Sequence, residues 1–147
     1  MIVSVDRAVE ALLAGDVVGL PTETVYGLAG LASDSQALEK IFRTKARPYF
    51  DPLIVHAASF EQLAPIAAEW PSSALQLAKS FWPGPLTMVL AKHPNLSPLI
   101  TSGLSNVAVR VPQHPLTLEI LTRTGPLAAP SANRFGKTSP TTAAHVE

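Results

Sequence analysis

Fourteen prolines divide this chain of 147 residues into short segments. Proline lacks a backbone N–H and interrupts helices and central strands, so a proline favours the end of an element. The prolines that fall at predicted element ends are Pro21, Pro48, Pro52, Pro83, Pro85, Pro112, Pro115, Pro130 and Pro140. Loops of this kind have fixed backbones and can bind a ligand without first being ordered.

Helical and strand-like segments intermix between these prolines. Apolar residues at helical spacing predict helices that start near Asp6, after Ser33 or Asp34, at Ser59, at Ser72 and at Pro115. Short apolar runs predict strands at residues 17–21, 52–56, 86–91, 107–111 and 127–130. These strands are too short and irregularly spaced for a regular βαβ barrel. We therefore predict an α/β fold with an open, twisted, mixed sheet and flanking helices.

Composition excludes several functional classes. A hydrophobic content of 47% with 15% charged residues predicts one folded domain over residues 1–147. Eleven basic and eleven acidic residues cancel, so the whole molecule has no general attraction to nucleic acid or to a membrane. The absence of cysteine excludes thiolate metal sites and a cysteine nucleophile. No signal sequence or membrane-length apolar run occurs, and we expect a cytoplasmic protein.

Residues 20–28 form a hydroxyl-rich segment. Thr22, Thr24 and Tyr26 share one parity, so in an extended strand their hydroxyls face the same side and can orient a small polar ligand. An ordinary strand end explains the same residues, and the pattern alone favours that simpler explanation.

Three further segments carry charged or polar side chains that suit anion binding. Lys45 and Arg47 follow a predicted helix and can converge on one oligoanion, although cations at a helix C-terminus are also favoured by the helix dipole. Arg110 interrupts an apolar strand, where it needs either an anionic partner or a solvent-exposed face of the strand. His56 ends another strand, a place where a lone histidine is more often structural than functional.

The last polar segment is small-residue rich. It runs from Ala128 to Asn133 and continues through Gly136-Lys137-Thr138 to Ser139. Small residues allow a ligand to approach the backbone closely, and the side chains add uncharged hydrogen-bond donors. The Gly-Lys-Thr imitates the end of a phosphate-binding P-loop, but the earlier glycine that such a loop requires is Ser131, so we reject this interpretation.

Taken in this order, the segments resemble the YrdC-like family of L-threonylcarbamoyladenylate synthases. The resemblance covers essentially the whole chain. It rests on Pro-Thr-Glu-Thr-Val-Tyr-Gly-Leu (21–28), Lys-x-Arg-Pro (45–48), Pro-Leu-Ile-Val-His (52–56), Phe-Trp-Pro-Gly-Pro-Leu-Thr (81–87), Val-Ala-Val-Arg-Val-Pro (107–112), Ala-Pro-Ser-Ala-Asn (129–133) and Ser-Pro-Thr (139–141).

The resemblance implies a mixed sheet around a positively charged cleft, and a reaction in which L-threonine, bicarbonate and ATP give threonylcarbamoyl-AMP and pyrophosphate. Mg²⁺ would arrive on the phosphates of ATP. A partner transferase would then pass the threonylcarbamoyl group to tRNA, which this chain could itself contact. The implied catalytic residues are Lys45 and Arg47. The implied threonine site is Thr24, His56, Arg110 and the Ala129 backbone. The implied ATP site is Arg47, Asp51, Asn106, Ser131, Asn133 and Ser139, with Thr22 and Tyr26 as further candidates.

Three departures from the family pattern are visible. Family members usually carry glycine at position 46, where Ala46 is tolerable unless its φ is positive. They usually carry asparagine at position 51, where Asp51 would repel a triphosphate unless it helps to hold the metal. Relatives also continue beyond residue 147 with further strands, including a Glu-Ser-Thr-Val segment, so we expect a domain truncated at its C-terminus.

Three other interpretations remain open. The chain could be a tRNA- or double-stranded-RNA-binding module, with Lys45, Arg47, Arg134 and Lys137 forming one basic patch. It could be the carbamoyl-adenylating domain of a hydrogenase-maturation protein, although the intact 21–27 segment favours the threonine enzyme. It could also be a relative without turnover.

Overall fold

The computed structural model describes residues 1–146, in which short helices alternate with short strands. The helices are α1 (Val5–Leu13), α2 (Ser35–Lys45), α3 (Phe60–Leu63), α4 (Ser72–Phe81), α5 (Pro98–Thr101) and α6 (Pro115–Thr124), with a 3₁₀ turn at Ala143–His145. The strands are β1 (Val18–Leu20), β2 (Gly27–Leu31), β3 (Ile54–His56), β4 (Met88–Ala91), β5 (Asn106–Arg110) and β6 (Leu127–Ala128).

The described strands form one open, mixed sheet in the order β1-β2-β6-β3-β5-β4. Only the β3–β5 pair within residues 1–146 is parallel, and the other neighbours are antiparallel. This arrangement confirms the predicted fold class. In the parallel pair, His56 lies opposite Arg110, so both strands deliver a polar side chain at the same edge of the sheet.

Two buried apolar clusters cover the two faces of this sheet. One contains inward residues of α2 with β3 and β5, and the other contains inward residues of α1 and α6 with β1 and β2. Leu127 and Ala128 are adjacent in β6 but belong to different clusters, as the alternation of side chains across a strand requires. None of the helices within residues 1–146 is long and apolar enough to cross a membrane.

Helix α2 is fixed closely against the sheet. Asp34 caps its first turn by accepting from the Gln36 and Ala37 N–H groups at 2.8 and 3.4 Å, which confirms one of the two predicted starts. A Cβ on Gly30 of β2 would lie 3.3 Å from side-chain atoms of Ala37 and Ile41, so glycine allows this close approach. The helix therefore ends with Lys45 directed into the protein, where the side chain is 1% exposed.

One predicted helix start and one predicted capping box are wrong, although α3 does begin directly after Ser59 as predicted. Ser4, not Asp6, caps α1 by accepting from the Arg7 N–H at 3.3 Å. Asp6 instead pairs with Arg123 of α6 at 2.8 Å, an interaction that local sequence cannot reveal. The capping box expected at Ser59 is also absent, because Ser59 makes no capping bond and Gln62 accepts from the Ala58 N–H at 2.9 Å.

The largest error in the predicted elements concerns residues 22–31. The structure places a bend at 22–25 and then the strand β2, whereas we expected an extended segment at 22–26 and no strand at 27–31. Two glycines in Gly-Leu-Ala-Gly-Leu lower the strand propensity and hide β2. Helix α5 was not predicted, whereas α4 spans the predicted residues, and the five predicted strands occur with ends shifted by one or two residues.

Candidate functional site

A cavity of about 230 Å³ opens beside the C-terminal ends of β3 and β5. Its lining includes seven of the residues that the sequence singled out: Thr22, Thr24, Arg47, His56, Arg110, Ala129 and Ser131. Four parts of the chain, the 21–28 segment, the loop after α2, the β3–β5 pair and the loop after β6, therefore converge on one space. Val25, Gly27, Pro52, Ile54 and Pro130 complete the wall.

Arg110 is the most buried cation of this wall, and each of its three nitrogens has a partner. Its Nη2 contacts Glu23 Oε1 at 2.7 Å, and its Nη1 donates to Thr24 Oγ1 at 3.1 Å. Its Nε donates to the Gly84 carbonyl at 3.2 Å. The side chain is 9% exposed, so these partners offset the cost of burying the charge and fix the direction of the guanidinium.

Glu23 is the site residue that the sequence analysis missed. Its Oε2 accepts from the Gln113 N–H at 3.1 Å, so one carboxylate joins the 21–28 segment to both Arg110 and the chain after β5. Burial alone would raise the pKa of this carboxyl, but the hydrogen bonds from Arg110 and the backbone outweigh it and hold the pKa below its usual value. The available signal was Arg110 itself, because a buried arginine requires an anion.

The shared hydroxyl face predicted for Thr22, Thr24 and Tyr26 is wrong. Thr22 Oγ1 donates to the Val25 carbonyl at 2.6 Å and accepts from the Thr24 and Val25 N–H groups, which closes a tight bend. The Thr22 and Thr24 hydroxyls still lie 3.0 Å apart at the cavity. The bend turns Tyr26 away, and Tyr26 lines a different, mostly apolar cavity beside α1 and β1.

His56 contributes a neutral, buried imidazole to the cavity. Burial, and then the neighbouring Arg110 charge, lower the pKa of His56 to about 4. The ring is therefore uncharged at neutral pH. Within residues 1–146, its Nδ1 is buried without a hydrogen-bond partner. Buried polar atoms normally have a partner, so this nitrogen is free to bind a polar group of a ligand.

Lys45 and Arg47 behave differently, although they are two residues apart. Arg47 lines the cavity and contacts Asp51 Oδ2 at 2.8 Å. Its Nε donates to the Asp51 carbonyl at 3.1 Å and its Nη2 to the Pro52 carbonyl at 2.8 Å. None of these contacts uses Nη1. The ion pair also shows why Asp51 is tolerated here: its charge is balanced by Arg47.

Lys45 does not line the cavity. Its Nζ donates to the backbone carbonyls of Ser131 and Asn133. Burial, and then the Arg47 charge, lower the pKa of Lys45 to about 8, while Asp51 acts in the opposite direction. Lys45 of the Lys-x-Arg pattern is thus hydrogen-bonded to the backbone of Ser131 and Asn133, the two named residues of the Ser-x-Asn pattern.

The remaining predicted residues lie at or beyond the rim. Asn133 Nδ2 donates to the Arg134 and Lys137 carbonyls at 2.9 and 2.8 Å, so its side chain shapes the loop. Ser139 is exposed and does not line the cavity. Asn106 opens β5 at the end opposite to Arg110, about 13 Å along the strand, and does not line the cavity either. The Ala129 N–H is already donated to the Ile54 carbonyl at 2.9 Å.

Comparison with known sequences gives consistent matches over this same region. The profile of the Sua5/YciO/YrdC family, described as "Telomere recombination", matches residues 10–147. The threonylcarbamoyl-AMP synthase of Pyrococcus abyssi is 53% identical over 133 residues, which cover 90% of this chain and 39% of the relative. The threonylcarbamoyl-AMP synthase of Bacillus subtilis is 49% identical over 142 residues, covering 95% and 41%. The chain thus spans about two fifths of the length of these curated relatives.

Comparison with solved structures agrees. The crystal structure of Pyrococcus abyssi Sua5 complexed with L-threonine superposes with a TM-score of 0.94 at 50% identity. The match covers 97% of this chain and 42% of the Sua5 chain.

Proposed function

Because the chain belongs to the Sua5/YciO/YrdC family, we propose that its cavity is the threonine and ATP site of an L-threonylcarbamoyladenylate synthase, a nucleotidyltransferase. One observation carries the proposal: two arginines, Arg110 and Arg47, line the same small cavity with a neutral histidine and two threonine hydroxyls. Such a space suits two anions that must meet, a carboxylate and a polyphosphate.

The chemistry requires alignment rather than a protein nucleophile. The amine of L-threonine forms a bond to the carbon of bicarbonate, water leaves, and the product is a carbamate. A carbamate oxygen then attacks the α-phosphorus of ATP, the bond to the bridging oxygen breaks, and pyrophosphate leaves with that electron pair. The products are threonylcarbamoyl-AMP and pyrophosphate. The protein must hold the two reactants in line and stabilise the charge that develops on the leaving group.

Threonine fits the side of the cavity formed by Arg110, Thr24 and His56. The Arg110 guanidinium, already oriented by Glu23, faces the substrate carboxylate. The uncharged His56 Nδ1 offers a polar contact without adding a second positive charge. We assign to the Ala129 backbone, through its carbonyl, a contact with the same substrate, since its N–H is already used.

ATP fits the opposite side, where Arg47 and Ser131 line the cavity. Arg47 would stabilise the leaving pyrophosphate. Asp51, Asn133, Ser139 and Asn106 remain predicted ATP contacts, and Asn106 would require the nucleotide to extend along β5. We propose that Mg²⁺ arrives bound to ATP, because no group of three or more His, Cys, Asp or Glu side chains within residues 1–146 is placed to hold a metal.

The product would pass to a threonylcarbamoyl transferase that modifies tRNA in the cytoplasm. Binding of RNA by this chain itself is less well supported. Of the four cations that could form a basic patch, Lys45 is buried and Arg47 is paired with Asp51, which leaves the exposed Arg134 and Lys137.

The test is pyrophosphate release from ATP, measured with and without L-threonine and bicarbonate. We expect release to require both and to fall about tenfold or more in Arg47→Ala. Arg43→Ala is the matched control: Arg43 lies in the last turn of α2, shortly before Arg47, is 73% exposed and pairs with Glu39. Its release should match the wild type.

Three outcomes would overturn the proposed synthase activity. Equal pyrophosphate release without threonine would indicate an unrelated ATPase. Salt-dependent tRNA binding with no pyrophosphate release would favour the RNA-binding module. Threonine binding by calorimetry with no release would leave a relative without turnover.

A further inference from the structure

Lys45 is placed as a structural clamp. Its side chain is 1% exposed, and its Nζ donates to two backbone carbonyls, those of Ser131 and Asn133, which lie 86 and 88 positions further along the chain. The cavity wall includes Arg47 but not Lys45. The two cations of the Lys-x-Arg pattern therefore occupy different positions relative to a ligand.

Additional bonds attach the same part of the chain, which we call the 131–137 loop. The Phe135 N–H donates to the Lys45 carbonyl at 3.0 Å, so the end of α2 binds the loop through both its side chain and its backbone. Inside the loop, Asn133 Nδ2 donates to two loop carbonyls. On its other side, the Ala132 N–H donates to the Tyr26 carbonyl at 2.8 Å.

This loop forms one wall of the cavity. Ser131 lines the cavity and bridges to Gly27 of β2, next to the bend that carries Thr22 and Thr24. The position of the Ser131 side chain consequently depends on the bonds that hold the loop at either end. Lys45 supplies two of those bonds directly.

Lys45 does not line the cavity, so its Nζ would have to leave its present position to contact a phosphate there. Rotating Nζ toward the cavity would remove the charged donor from the Ser131 and Asn133 carbonyls, and buried carbonyls without donors are costly. Burial and the nearby Arg47 also lower the pKa of Lys45 to about 8, so Lys45 loses its proton more readily than an ordinary lysine does. A neutral amine would still have two N–H groups for two carbonyls.

We propose that Lys45 is a positioning residue, which holds the 131–137 loop and Ser131 against the cavity and does not touch the substrate. The consequence for catalysis depends on the proposed synthase function. The clamp itself does not, because it is visible in the ligand-free chain.

The first test is backbone hydrogen exchange in the ligand-free protein. In Lys45→Met, we expect exchange at the Ala132, Phe135 and Lys137 amides to rise about tenfold. Lys40→Met is the matched control, because Lys40 lies on the same helix and donates to the Gly15 carbonyl at 2.8 Å, far from the loop. Exchange in the 131–137 loop should not change in Lys40→Met.

Two variants keep the test decisive. Should Lys45→Met not fold, Lys45→Gln retains two N–H donors on a shorter side chain and should give a smaller rise in loop exchange. Unchanged loop exchange in a folded Lys45→Met or Lys45→Gln would overturn the clamp.

The second readout is steady-state kinetics of pyrophosphate release. A displaced loop should raise the KM for ATP about tenfold in Lys45→Met while kcat changes less than twofold. A large loss of kcat with normal loop exchange would indicate that Lys45 acts on the substrate, and would overturn the proposal. If the wild-type chain released no pyrophosphate but the exchange result held, the synthase function would fail and the clamp would stand.

Discussion

Two groups of residues support the cavity, and each contains a buried cation that uses its charge differently. On the Arg110 side, formed by Glu23, Thr24 and Arg110, the guanidinium is paired with a carboxylate at 2.7 Å. On the Lys45 side, formed by Lys45, Ser131 and Asn133, the ammonium is bonded to backbone carbonyls. One cation is balanced by an anion, whereas the other is surrounded by neutral dipoles.

A buried cation can therefore support a binding site in two ways. The ion pair orients a side chain, because Glu23 directs the guanidinium into the cavity before any ligand arrives. The ammonium orients a backbone, because Lys45 fixes the loop that carries Ser131. Carbonyls do not carry a full negative charge, and burial accordingly lowers the pKa of Lys45 to about 8.

Removing Arg110 should have the largest effect. Arg110→Met leaves Glu23 partly buried without its cation, and we expect the free energy of unfolding to fall by about 3–5 kcal/mol. Threonine-dependent pyrophosphate release should fall by about a hundredfold or more, because the substrate carboxylate loses its bidentate partner. Denaturant unfolding and the release assay measure the two effects separately.

A double variant separates stability from binding on the Arg110 side. Arg110→Met with Glu23→Gln removes the unpaired carboxylate as well, and should recover part of the stability but none of the threonine dependence. The control is Arg123→Met, since Arg123 is 40% exposed and pairs with Asp6, and it should lose about 1 kcal/mol or less. A loss in Arg110→Met no larger than that in Arg123→Met would contradict the assigned role of the ion pair.

Acid should weaken the Arg110 side through His56. The pKa of His56 is about 4 in the folded protein, below the ordinary value of 6.5, so between these values only the unfolded chain binds the proton. Stability from this residue is therefore complete above about pH 6.5 and is lost as the pH falls toward 4. The full difference is about 3 kcal/mol.

The measurement compares free energies of unfolding at pH 7 and pH 4.5. His56→Gln should lose less stability on acidification than the wild type does, because its side chain does not titrate. His145→Gln makes the same chemical change at an exposed position and should follow the wild type. If the wild type and His56→Gln lost the same free energy of unfolding between pH 7 and pH 4.5, another group, such as Glu23, would dominate the acid response.

The sequence predicted the side chains of the site better than their roles. The family resemblance implies site roles for His56, Arg110 and Arg47, and all three line the cavity, although local pattern alone favours a structural role for His56 and Arg47. The residues that pair with these charges are harder to predict from the sequence. Glu23 lies 87 positions from Arg110, and no local pattern reports such a pairing.

Two further features lie outside what the sequence pattern reports. The resemblance implies a catalytic role for Lys45, and the structure adds that its Nζ is bonded to carbonyls 86 and 88 residues away. Tyr26 was grouped with Thr22 by alternation, which failed because Thr22 closes a bend with its own hydroxyl. Ala46 stands where family members usually carry glycine, and its φ is positive, which is the condition under which alanine is unfavourable there.

Ala46 therefore gives the smallest test of the Lys45 side. It lies between the two cations at φ 49° and ψ 39°, a left-handed conformation in which a Cβ is unfavourable. Ala46→Gly removes that strain, and although glycine is more flexible in the unfolded chain, we expect the free energy of unfolding to rise by about 0.5–1 kcal/mol.

Ala14 is the matched control for this change. It is also an exposed alanine at a helix C-cap, but its φ is −81°, so Ala14→Gly relieves no strain and should lower stability by about 0.5 kcal/mol. Opposite signs at the two caps would show that backbone strain sits beside Lys45, where the helix must turn to place Lys45 under the loop and Arg47 at the cavity. Equal losses would mean that the left-handed turn costs nothing here, and that the clamp alone fixes the end of α2.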